Sequence, residues 1–204
     1  ASETRGFDPA RAAQMLEEAG YKDTNGDGVR EDAQGNPLSF ELINVSDNSE
    51  EIKTAQIIAS SAREAGIELR LTTMDSGALS DIIAAYKYDI HIWGWGADAD
   101  PGTILSIFTT DYANETGFSN ARYDELYTAQ MQEMDKTKRI ELVKEMQQIL
   151  YEESPYLIYI YDNFVQAIRS DKWTGYTIIP SETGGLFYNL TFNNYITLRP
   201  INAK

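Results

Sequence analysis

Between Gly94 and Pro101 the chain reads GWGADADP, so Trp93 and Trp95 lead out of an apolar stretch into a loop carrying Asp98 and Asp100. An aromatic face beside a carboxylate holds a cation: the ring offers its negative face, and the carboxylate accepts a charge-assisted hydrogen bond. From the residues alone a second reading stays open, an Asp-Pro turn in which Asp98 or Asp100 caps a helix over 103–108. Two aspartates so close also raise the chemistry of paired carboxylates, one protonated and one not.

A second cluster lies at Asp23 to Asp32, DTNGDGVRED. Oxygen donors at Asp23, Asn25 and Asp27, with Gly28 at the sharp turn and the Val29 carbonyl following, match the first half of an EF-hand-type calcium loop. The twelfth position, where an EF-hand has a bidentate Glu, is Gln34 here, so Glu31 or Asp32 must finish the shell. The spacing predicts a structural Ca²⁺ held by Asp23, Asn25, Asp27, Val29 and Glu31; the alternative is a metal-free turn. A strand follows the loop, so it is not a helix-loop-helix sensor.

The elements that must position these residues read as an alternation. Asp8-Pro9 opens a helix that closes at Gly20. Strands are predicted over 38–45, 67–74 and 88–95, with helices over 49–65 and 78–86 between them. Such alternation implies βαβ crossovers and a mixed, largely parallel sheet flanked by helices in three layers, an α/β lobe. Beyond the aspartate loop, helices are expected over 123–134 and 136–152, the latter with a stripe of Ile140, Val143, Met146, Gln147 and Leu150. YLIYIYD and FVQAIRS read as two apolar strands, and the segment from Trp173 to Lys204 as strand-like pieces without a helix.

Composition narrows the partners. In 204 residues, 17 Lys and Arg face 32 Asp and Glu, a formal charge of −15 that opposes phosphate backbones and anionic lipid. Nucleic acid is therefore not a partner. The absence of cysteine excludes thiolate chemistry, and the single histidine, His91, reads as a packed strand residue. No stretch approaches the roughly 18 apolar residues of a spanning helix, and the first residues lack a leader pattern.

Four pieces in order, ARAAQMLEEAGYKDTNGDGVRED, DIHIWGWGADADP, GFSNARYDELY and GYTIIP, resemble the second lobe of the family 5 extracellular solute-binding proteins. These are the receptors of peptide, nickel and opine ABC importers, and the resemblance runs from Phe7 to Phe192. It implies a carboxy-terminal fragment of a clamp-like protein whose two lobes close on a solute. Residues 1–172 would be the ligand-clamping lobe, and residues 173–204 strands near the hinge or first lobe. In peptide-binding members the aspartate matching Asp98 takes the ligand's α-ammonium group, and Trp95, Gly96, Ala97 and Asp98 keep that spacing. GFSNARYDELY places Asn120 as a helix cap and Tyr123 as a packing residue.

The resemblance thus implies a monomeric, non-enzymatic, extracytoplasmic receptor, periplasmic or lipid-anchored, that passes peptides or another small solute to an ABC permease. Some dipeptide-type relatives carry an arginine just past the strand matching 38–45; here that stretch is INVSDNSE, which disfavours strict dipeptide specificity. Two other function classes remain open on the residues: a carboxylate-dependent hydrolase using Asp98 and Asp100, and a calcium-stabilised surface interaction module.

Overall fold

The computed structural model describes residues 6–96, 100–112, 115–161, 165–178 and 193–201. Its elements are α1 (Pro9–Glu18), β1 (Ser39–Val45), α2 (Ser49–Glu64), β2 (Glu68–Met74), α3 (Ser76–Ala84), β3 (Ile90–His91), α4 (Pro101–Ser106), α5 (Ala121–Gln132), α6 (Lys136–Glu153), β4 (Trp173–Thr174), α7 (Asn193–Thr197) and β5 (Arg199–Pro200). Helix starts follow side-chain capping, which satisfies first-turn N–H groups that have no intrahelical partner. Asp8 accepts from the Arg11 N–H ahead of α1, with Pro9 in the first turn. Asn48 accepts from Glu50 and Glu51, Asp75 from Ala78, and Asn120 from Tyr123.

The main sheet has the order β2-β1-β3, and both pairings are parallel. Successive residues of the central strand β1 face opposite sides, as strand geometry requires. Leu42 packs with Ala55 of α2 and with Ile92, whereas Ile43 packs with Leu79 and Ile83 of α3. These two apolar clusters create the three layers α2, sheet and α3. A third cluster, built from Leu105, Ile107, Phe108, Tyr123, Leu126 and Met146, joins α4, α5 and α6. Among the described residues no helix is long and apolar enough to cross a membrane.

The structure departs from the sequence expectation at four places. The ladder of the third strand is confined to Ile90 and His91 rather than 88–95, because β1 offers it partners only at Leu42 and Ile43. Described residues 156–161 and 165–170 form no strand. The terminal segment contains a helix, α7, fastened by Asn194, whose side chain exchanges hydrogen bonds with the backbone of Thr177. The buried face of α6 runs through Leu142, Val143, Met146, Ile149 and Leu150, while Ile140 is 43% exposed and Gln147 points outward.

Candidate functional site

In a parallel sheet the crevice for ligands lies beyond the carboxyl ends of the strands, and the chain leaves β3 at that edge. Trp93 is half-buried and packs onto the Ile43–Leu79–Ile83 cluster. Gly94 and Gly96 are exposed, and Trp95 between them is 46% exposed. Ala97 and Asp98 lie outside the described residues.

The loop is anchored again at Asp100. Its Oδ1 accepts the Gly102 N–H at 2.7 Å, capping α4, and both carboxylate oxygens accept from Arg139, at 2.6 and 2.9 Å. Arg139 is fixed in turn by Nε donating to the buried Gln130 Oε1 at 3.0 Å. A side chain at Gly102 would stand 2.7 Å from Met131 Sδ, so glycine permits the approach of α4 to α5 that brings Asp100 to Arg139. The bidentate fork is the strong form of this pairing. The Arg139 side chain, followed by the Gly102 N–H, holds the Asp100 carboxyl below its ordinary range. Asp100 is therefore an ionised carboxylate engaged in anchoring the loop.

That depression sets a pH dependence. A carboxyl whose folded pKa lies below its unfolded value adds stability above the unfolded value and loses it as pH falls through the folded one. Unsubstituted chain is expected to melt above Asp100→Asn at neutral pH, the gap closing as pH falls below about 4. Melting curves recorded across this range check it; a gap independent of pH contradicts the assignment.

His91 packs edge-on against Tyr88, with ring centroids 4.5 Å apart, and among the described residues its Nε2 has no hydrogen-bond partner. Burial lowers its pKa, opposed by Glu115, so it sits as a packed, neutral imidazole. Around it lies a polar cluster that sequence reasoning did not find. The Tyr88 hydroxyl donates to the Glu115 carbonyl, and the Tyr156 hydroxyl donates to Glu115 Oε2 at 2.8 Å. Burial, foremost, pushes the pKa of the Tyr156 hydroxyl up. These residues come from three stretches of sequence, so no local spacing reports them.

In the loop at 23–32 the structure brings Asp23, Asp27 and Glu31 together, one oxygen of each lying within 4.8 Å of the others. Gly26 and Gly28 take φ of +80° and +85°, which glycine adopts without strain. Asp23 accepts the N–H groups of Gly26 and Gly28, and Asp27 accepts that of Val29. Glu31 is 5% exposed and accepts from the Thr24 N–H and hydroxyl and from the Asn25 amide. Asp32 turns away to cap Gln34 and Asn36, so Glu31 is the residue that joins the ring. The loop is docked on α2 by Arg63, which donates to the Asp27 carbonyl at 2.6 Å, and by Arg30, which donates to the Ala65 carbonyl at 3.1 Å.

Comparison with known proteins adds a family match and three relatives. The family described as "Bacterial extracellular solute-binding proteins, family 5 Middle" matches residues 1–116. The oligopeptide-binding protein AppA of Bacillus subtilis is 27% identical over 162 residues, covering 77% of this chain and 30% of AppA. Its structure in complex with a nonapeptide superposes with a TM-score of 0.66 at 26% identity, over 72% of this chain and 30% of that one. The glutathione-binding protein GsiB of Salmonella choleraesuis is 26% identical over 193 residues, 89% of this chain and 35% of GsiB. A periplasmic oligopeptide-binding protein of Thermotoga maritima, crystallised with mannohexaose, matches in fold with a TM-score of 0.79 at 21% identity. That match covers 99% of this chain and 41% of the Thermotoga protein. The chain thus spans about a third of the length of the curated relatives it matches.

Proposed function

This chain belongs to the bacterial extracellular solute-binding proteins of family 5, a non-enzymatic family, and from that premise we propose that it is the ligand-clamping lobe of a two-lobed receptor for peptides. The receptor releases its solute to an ABC permease in the membrane, and works in the periplasm or lipid-anchored outside the cell membrane. The observation carrying this reading is the anchoring of the loop after β3. Trp93 is packed into the core and Asp100 is clamped by Arg139, which leaves Trp95 exposed between the two fixed ends. Asp98, on the same tethered span, takes the peptide ammonium, and Trp95 covers its apolar surface.

The similarity to AppA, an oligopeptide-binding protein, and GsiB, a glutathione-binding protein, supports a ligand with peptide character. The exposed run Leu157, Ile158, Tyr159, Ile160 and Tyr161 supports a second lobe, since apolar surface of this extent is normally covered by other protein. The test is calorimetric titration of the two-lobed polypeptide with a pool of mixed-sequence nonapeptides. Saturable binding is expected; no heat with peptides, but binding of a nickel chelate or an oligosaccharide, overturns the peptide assignment.

A structural Ca²⁺ at the 23–31 loop belongs to the same proposal. Three convergent carboxylates are the hard oxygen donors this ion takes, and Asn25 and Val29 would supply neutral oxygens. The ion would stiffen the corner between α1 and β1. Adding calcium to chelator-treated protein at a hundredfold excess over Kd is expected to raise Tm by about 5–10 °C, from the linkage energy and the size of the chain. Glu31→Gln should lose most of that rise. An unchanged Tm, with no heat on titration, overturns the site.

A further inference from the structure

We propose that Gln130 is a positioning residue for ligand capture: its amide oxygen fixes the plane of the Arg139 guanidinium, and that plane sets where Asp100 ends the loop after β3. The inference rests on the reading of this loop as ligand-facing.

The buried face of α5 runs through Tyr123, Leu126 and Gln130, steps of three and four that return to one side of a helix. Gln130 is fully buried in that stripe, where a methionine would fill similar space without a hydrogen-bonding amide. Its Oε1 accepts from Arg139 Nε at 3.0 Å, which fixes the orientation of the amide, since turning it over would set N–H against N–H. That leaves Nε2 buried and, among the described residues, without a hydrogen-bond partner. It lies against the start of α4, where a Cβ added at Gly102 would stand 3.3 Å from it. A buried donor without an acceptor destabilises a fold, so the residue that carries one has a reason outside packing.

Arg139 supplies the reason. Its side chain is 28% exposed and that of Asp100 is 50% exposed. An ion pair this open contributes little by itself, because holding two side chains in one geometry costs entropy. The guanidinium is a rigid plane, so a tie at Nε orients Nη1 and Nη2 together, and both reach Asp100, at 2.9 and 2.6 Å. Gln130 thereby orders Arg139 before any ligand arrives. Without that tie Arg139 would sample several rotamers, the Asp100 end of the loop would slacken, and ordering both on binding would cost affinity.

The test replaces Gln130 with methionine, which keeps the length of the side chain and removes both amide groups. Arg139 Nε can then turn to water, so the Tm of Gln130→Met is expected to hold or rise. Asp100→Asn, made in each background, reads the clamp without ligand: its melting deficit at neutral pH should narrow in Gln130→Met, the signature of coupled partners. Calorimetric titration of the two-lobed polypeptide with the nonapeptide pool should show affinity lowered about three- to tenfold in Gln130→Met, the cost of ordering one rotamer-rich side chain on binding.

A residue needed only by the core gives the opposite pattern. If Gln130→Met melts far lower or fails to fold, the amide serves packing and the proposal is overturned. An equal Asp100→Asn deficit in the two backgrounds also overturns it, whatever the protein binds, since Gln130 then does not fix Arg139. A narrowed deficit with unchanged affinity, while the unsubstituted polypeptide binds the pool, removes Gln130 from capture and leaves the peptide reading standing. No binding by the unsubstituted polypeptide overturns the peptide reading and the capture role together.

Discussion

Replacing Asp98 with alanine is expected to weaken peptide binding by the two-lobed receptor by about a hundredfold or more, the cost of leaving an ammonium buried without its carboxylate. Closing two lobes removes water from the cleft, which strengthens the ion pair and raises the penalty for breaking it. Asp98→Asn keeps an acceptor oxygen without the charge and should fall between the two. Melting temperature should barely move, because the loop is held through Trp93 and the Asp100–Arg139 pair. Calorimetric titration with the nonapeptide pool and with the same pool acetylated at the amino terminus checks the mechanism. Acetylation should cost the unsubstituted protein far more affinity than it costs Asp98→Ala. Full affinity in the alanine variant would remove Asp98 from the ammonium site.

The second large effect is on stability and centres on Tyr123. This residue is fully buried, its hydroxyl donates to the Leu105 carbonyl at 2.8 Å, and its ring meets Phe108 and Phe118 edge-on with centroids 6.3 and 5.8 Å away. Tyr123→Ala opens a cavity where α4, α5 and α6 meet and is expected to cost about 3–5 kcal/mol, the range for deleting a buried aromatic ring. Tyr123→Phe removes only the hydrogen bond and should cost about 1 kcal/mol, since the Leu105 carbonyl keeps a backbone donor from Phe108. Urea denaturation of both variants measures the difference. Equal costs would mean that the hydroxyl, and not the ring, holds the cluster.

Much of the α/β half was legible because its determinants are local. Asp8-Pro9, Asp75 and Asn120 cap the helices they precede, and the apolar runs of β1 and β2 lie within a residue or two of their expected limits. Period-two patterning is less reliable at β3, since alternation reports which faces are apolar and not how many ladder bonds form. The same limit applies at 156–161: Tyr, Leu and Ile favour extended backbone, but a strand exists only where another strand offers hydrogen bonds, and the described residues offer none there. Short helix α7 depends on Asn194 reaching Thr177, a tertiary contact across 17 positions that no window covers.

The site divides the same way. Asp23, Asp27 and Glu31 were readable from one short loop, and their convergence followed from its glycine turns. Asp100 was open between ligand and cap on spacing alone. The structure assigns it to the cap and to Arg139, a partner 39 residues away that a sequence window cannot pair with it. Glu115 and Tyr156 were invisible for that reason too, being 41 residues apart. Trp95 stood out in both views, by its place in GWGADADP and by its exposure at the sheet's carboxyl edge.

Native mass spectrometry of the two-lobed polypeptide, purified gently without added ligand, tests the central claim most directly. A ladder of bound peptide masses, lost in Asp98→Ala, is the predicted result; a single non-peptide mass that survives this substitution would contradict it.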